Sequence, residues 1–173
     1  DPYGEPSEEG YYQKLSKAYL KLVEGKSSIS PLTVDCANGV GAPALLALSK
    51  HIPSSALPLR ILRTATDEKG ALNSGCGADY VKSNQRLPLG FEKEGGIQPG
   101  DRLCSFDGDA DRIIFYYCRG SPADKESFRL LDGDKIASLA TDYISELVKK
   151  AGVDIQVGCV QTAYANGSST KYL

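Results

Sequence analysis

The chain has 173 residues, of which 41% are hydrophobic and 24% charged; this is the balance of a water-soluble globular protein, with length for one buried core or one and part of another. A formal net charge of −2 argues against a nucleic-acid or anionic-membrane partner, and no apolar run approaches the roughly 20 residues that cross a bilayer. The polar, acidic N-terminus is no secretory signal, and the scattered Cys36, Cys76, Cys104, Cys118 and Cys159, with His51 the single histidine, give neither zinc spacing nor a disulfide framework. They read as small buried thiols in a reducing, cytoplasmic setting.

In chain order, residues 1–7 are Pro-rich and polar and read as a linker. Glu8 and Glu9 then open a helix with Leu15, Tyr19, Leu22 and Val23 at helical spacing, closed by Gly25. Leu32–Cys36 reads as a strand running into the tight turn Asn38-Gly39-Val40-Gly41. A helix follows from Pro43 through Leu48, since proline suits a first helical turn. Leu57–Leu62 is a second strand, so the start is β-turn-α-β, which favours a parallel or mixed sheet with helices on its faces. Residues 64–100, rich in Gly, Asn, Lys and Pro, carry no legible period. Arg102–Phe106 and Ile113–Cys118 are two strands, and so short a connection implies a hairpin return. The composition shifts at Arg119–Ser127, which places a domain boundary there, with 8–119 as one domain and 120–173 as the start of another. Phe128–Leu131 is short and apolar. Asp132 caps a helix bearing Ile136, Leu139, Ala140, Tyr143, Ile144, Leu147 and Val148 on one face, and Gly152 stops it. Ile155–Val160 reads as a strand and Ser168–Leu173 as the beginning of a helix. The expected fold class is α/β: one mixed sheet flanked by helices, then an incomplete β-α-β unit of a following domain. With no methionine, even at position 1, the sequence reads as a segment of a longer protein.

The chemistry stands between the hairpin strands. Asp107, Asp109 and Asp111 alternate with Gly108 and Ala110, spacers small enough to let the loop curl until three carboxylates converge. Such charges repel strongly unless a cation lies between them. Hard carboxylate oxygens suit Mg²⁺, Ca²⁺ or Mn²⁺, and an octahedral Mg²⁺ on three protein ligands keeps positions for phosphate oxygens. Arg112 adds a fixed positive fork that matches phosphate. The bland alternative is an Asp-rich surface turn. An EF-hand loop counted from Asp107 would need Gly and Glu where Arg112 and Cys118 stand. A phosphatase with an Asp-x-Asp nucleophile would leave its strand into a crossover, whereas here a second strand begins at once. Gly39-Val40-Gly41-Ala42-Pro43-Ala44 fits a dinucleotide fingerprint, yet no acidic residue ends the next strand at Leu62, so these glycines read as punctuation of a β-turn-α unit. Asp132-Gly133-Asp134 reads as a helix cap. Tyr116 and Tyr117 alternate along a strand, so at most one faces the core.

The run Ser105–Arg112, followed by Ile113-Ile114-Phe115-Tyr116, resembles the metal-binding loop of the α-D-phosphohexomutases. Glu9–Lys17, Val34–Gly39, Cys76–Lys82, Leu131–Ala137 and Val160–Thr170 are similar to one branch, the eukaryotic phosphoacetylglucosamine mutases. The resemblance spans nearly the whole chain apart from 25–31, 51–70 and 119–127. It implies a four-domain enzyme that interconverts N-acetylglucosamine 6-phosphate and 1-phosphate through a phosphoserine and a bisphosphorylated sugar. It further implies Asp107, Asp109 and Asp111 as Mg²⁺ ligands, with Asp111 and Arg112 nearest a hexosamine phosphate substrate. The family's phosphoserine loop is absent, as are its later sugar-binding loop and phosphate-binding domain. By resemblance the chain is therefore the second domain and the start of the third; its partners are the other domains of the same polypeptide. Alone it is expected to bind metal weakly and to catalyse nothing. Two other readings stand beside this one: a mutase of glucose, mannose or glucosamine phosphates, and a non-catalytic metal-binding or interaction module.

Overall fold

The computed structural model describes residues 7–91, 96–165 and 167–172. The linker at 1–6, Asn166 of the last family-like stretch and Leu173 of the last expected helix lie outside the described residues. The chain divides into two compact units between Leu130 and Leu131.

The first unit is built on one mixed sheet. Strand β1 (Leu32–Asp35) lies between β2 (Leu59–Leu62) and β3 (Arg102–Phe106) and is parallel to both. Strand β4 (Ile113–Cys118) returns antiparallel to β3, pairing Ile113 with Phe106, which is the expected hairpin. Strand β5 (Phe128–Leu131) forms the far edge, so the sheet takes in residues beyond the composition break at 119–127.

Both faces of the sheet are covered, as a sheet with parallel strands requires. One face buries Val34, Cys36 and Cys104 against Ala42 and Leu45 of α2 (Gly41–Ser49). The other buries Leu103, Ile114 and Tyr116 against Ala78 and Val81 of α3 (Gly77–Asn84), together with Leu87, Phe91 and Phe128. Tyr116 faces this core and Tyr117 does not, in keeping with the alternation of a strand. Four of the cysteines are buried free thiols and Cys159 is half-buried. Burial pushes the Cys36 and Cys104 thiols up to about 12, which makes them inert packing groups.

Helix α1 (Glu8–Val23) forms where expected, capped by Ser7 Oγ, which accepts from the Gly10 N–H at 3.0 Å. Its covered stripe keeps Tyr19 and Val23 of the expected one but not Leu15 and Leu22. Tyr12 and Ser16 are buried and Tyr19, Leu20 and Val23 half-buried, while Leu15 and Leu22 face solvent. The Tyr19 hydroxyl donates to the Ala56 carbonyl at 2.8 Å, a polar anchor for the tyrosine side of the helix.

In the second unit, α4 (Gly133–Ala151) is capped by Asp132, whose carboxylate accepts from the Lys135 N–H, and is closed by Gly152 at φ 66°. That cap accounts for Asp132-Gly133-Asp134. The expected apolar face of α4 exists but is exposed: Leu139 and Tyr143 are 60% and 59% accessible, and Ile144 and Leu147 are exposed too. Ile136 and Val148 of that face are half-buried, and the shielded side otherwise carries Ser138, Thr141 and Ser145. The strand expected at Ile155–Val160 does not form. Its residues have the right propensity, but a strand exists only through a ladder of partner bonds, and no described segment pairs with it. The unit continues as coil into α5 (Gly167–Tyr172).

Candidate metal centre

Because β1 and β3 run parallel and end side by side, the turn after Asp35 and the acidic loop after Phe106 leave the same edge of the sheet. Open α/β sheets hold their ligands at this carboxyl edge. The two turns interlock through their backbones. The Val40 N–H donates to the Gly108 carbonyl at 3.0 Å. A Cβ on Gly39 would lie 2.1 Å from that same oxygen, so only glycine fits. A Cβ on Gly41 would lie 2.9 Å from the Phe106 ring, a less severe contact. Both glycines of the dinucleotide-like fingerprint are thus occupied in seating the acidic loop, as structural punctuation would have them.

Within the loop, Asp107 is buried and Asp109 and Asp111 are exposed. Each offers a carboxylate oxygen, and these three oxygens lie within 4.8 Å of one another. The curl that gathers them depends on Ala110 at φ 59°, whose N–H donates to the Asp107 carbonyl at 3.2 Å. Arg112 folds back over the loop: its Nε donates to Asp107 Oδ2 at 2.6 Å and its backbone N–H to Asp107 Oδ1 at 3.2 Å. Burial pushes the Asp107 carboxyl up, but these bonds outweigh it and hold the group below its ordinary value. Asp111 moves the other way, raised by its bond with Asp107 and by the charges of Asp109 and Asp107. Arg112 therefore compensates the buried carboxylate and leaves its neighbours short of positive charge. An oxophilic divalent cation matches both that deficit and the all-oxygen donor set.

Two carboxylates that sequence reasoning did not single out complete the surroundings. Asp79, on the first turn of α3, receives Arg112 Nη1 and Nη2 at 2.5 and 2.9 Å. Asp35, fully buried at the end of β1, accepts from the Ala37 N–H at 2.9 Å, the Gly77 N–H at 2.7 Å and the Ser105 hydroxyl at 2.7 Å. The Ser105 oxygen in turn takes the hydroxyl of buried Tyr116 at 2.9 Å. Burial pushes Asp35 above its ordinary value, against the pull of these donors. Its bond from the Ala37 N–H steadies a non-glycine residue at φ 54°, and Asn38, at φ 55°, is held in turn by its N–H to the Arg63 carbonyl. The usable sequence signal was weak: each residue lies inside a family-like stretch, but neither is near the acidic loop along the chain.

Fold and loop together define an α-D-phosphohexomutase domain. Residues 7–114 match the family described as phosphoacetylglucosamine mutase AMG1, domain II, and residues 132–173 match its domain III. The chain belongs to the phosphoacetylglucosamine mutase family. It is 48% identical over 175 residues to the human phosphoacetylglucosamine mutase and 45% identical over 172 residues to phosphoacetylglucosamine mutase 2 of Schizosaccharomyces pombe, covering 99% of this chain in both cases. It spans 30% of the length of either relative. Among solved structures, Aspergillus fumigatus N-acetylphosphoglucosamine mutase in complex with GlcNAc-6P and magnesium is similar at a TM-score of 0.83 and 46% identity, over 98% of this chain and 33% of that one. An N-acetylglucosamine-phosphate mutase in its substrate complex gives 0.84 and 40%, over 99% and 32%.

Proposed function

We propose that this chain is the metal-binding segment of a phosphoacetylglucosamine mutase, an enzyme interconverting N-acetylglucosamine 6-phosphate and 1-phosphate in the cytoplasm. The observation that carries this reading is the convergence of Asp107, Asp109 and Asp111 beside Arg112, in a chain of a family whose Aspergillus relative is described with GlcNAc-6P and magnesium. The same matches favour this branch over mutases of other hexose phosphates and over a non-catalytic module. We read the first unit, through Leu130, as the second domain and the stretch from Leu131 as the beginning of the third, a division later than 119/120 and in keeping with family matches at 7–114 and 132–173.

In this reading Asp107, Asp109 and Asp111 hold Mg²⁺, which when bound neutralises charge on the phosphoryl group. Asp107, buried and fixed by two bonds from Arg112, sets the floor of the site. Arg112 presents its remaining N–H donors to the sugar phosphate, and Asp111, 3.5 Å from Arg112 Nε, lines the same side. The phosphoserine and the other sugar contacts belong to other parts of the polypeptide, and the work of these residues is positioning and charge placement.

The test is Asp109→Ala in the full-length enzyme. Asp109 is exposed, so the fold is expected to survive. Mutase activity and its dependence on added Mg²⁺ are expected to be lost. Near-normal turnover would mean that the loop is only a turn.

A further inference from the structure

We propose that Asp79 is a positioning residue for the mutase reaction, aiming the Arg112 guanidinium at the substrate phosphate. The inference rests on the reading of Arg112 as a phosphate-binding group. A guanidinium has five N–H donors. Asp107 takes the one on Nε, and Asp79 takes one from each Nη. One N–H on each Nη remains, the two on opposite edges of the guanidinium, so one of them is left to meet a phosphate, and its direction is fixed because the plane of the group is held by two carboxylates on different elements. Without Asp79, Arg112 would be tied at Nε alone, on a side chain that is 56% exposed.

Stability does not account for the pair. Asp79 is 66% exposed, and ion pairs so open to water contribute little to folding. Nor is Asp79 one of the three clustered carboxylates. It adds a further negative charge to an acidic site, a cost that is hard to explain unless the group does something for Arg112. Its placement is set by the sheet that carries the acidic loop. The Gly77 N–H, at the start of the same helix, donates to buried Asp35, and a Cβ on Gly77 would lie 3.2 Å from the Phe106 carbonyl. Helix α3 is therefore seated against the end of β3, and Asp79 brackets Arg112 from a fixed support.

The experiment compares Asp79→Asn, Arg112→Lys and the double variant in the full-length enzyme that contains this sequence. Asp79→Asn is expected to lower kcat/KM on the order of ten- to a hundredfold, mainly through KM for the sugar phosphate, as small misplacements of a binding group do. Its thermal midpoint and Mg²⁺ activation constant are expected to stay put. In the Arg112→Lys background Asp79→Asn is expected to add little, since both act through one guanidinium. An unchanged KM in Asp79→Asn beside an impaired Arg112→Lys overturns the proposal alone. So does a lowered KM, which would make Asp79 a competitor of phosphate, or full additivity in the double variant. A normal KM in Arg112→Lys overturns the phosphate reading of Arg112, and this proposal with it.

Discussion

Asp35 shows how much a single buried charge organises. Its two oxygens receive two backbone N–H groups and a serine hydroxyl from three separate segments. An asparagine of the same size would turn an NH₂ group toward those donors, leaving at least one buried donor unmatched. Asp35→Asn is expected to cost about 1–3 kcal/mol at neutral pH, measured by urea unfolding of the full-length protein. The pH dependence has a definite sign. Burial raises the folded-state pKa of Asp35, so its contribution is fully present below the unfolded value and is lost as pH rises through the folded one. The cost of Asp35→Asn should accordingly shrink as pH rises from about 4 toward neutrality; a growing cost would contradict the assignment. Asp107, Asp109, Asp111 and Arg112 were legible in the sequence because they are contiguous and chemically crowded. Asp35 and Asp79 were not, because their meaning lies in partners 42 and 33 residues away along the chain.

Among the elements, those whose signals are local were readable. Strands β3 and β4 and the helix α4 carry their own alternation, cap and stop, and they stand where the pattern puts them. Helix α3 was not readable: it begins at a glycine with φ 86°, no side chain caps it locally, and the anion at its N-terminus is Asp35 of another element. Conversely, Ile155–Val160 has strand propensity and no ladder partner among the described residues. The glycines give a contrast that tests the packing. Gly39→Ala drives a Cβ into the Gly108 backbone, and it is expected to weaken Mg²⁺ activation by displacing the acidic loop. Gly133→Ala meets nothing within 4 Å at the start of α4 and should be neutral or stabilising by about 0.5–1 kcal/mol. Equal Mg²⁺ activation constants for the two variants would show that the interlock does not shape the site.

Among the described residues of both units no buried side-chain polar atom lacks a partner, and the first unit also covers its apolar surfaces, on both faces of its sheet. The second unit does not. The Leu139, Tyr143, Ile144 and Leu147 side of α4 leaves a contiguous apolar stripe in water, larger than scattered surface leucines explain. The isolated chain is expected to self-associate as its concentration rises in sedimentation experiments, and Leu139→Glu with Leu147→Glu to suppress this. A monomer at all concentrations would show the stripe to be harmless. The clasp between Gly39 and Gly108 bears on how such a protein can change over generations. The two turns share one backbone contact with no side chain to absorb a shift. An insertion or deletion between Cys36 and Gly41 would thus be tolerated only with a matching change between Asp107 and Arg112, so that the lengths of two loops distant in the gene drift as a single inherited character.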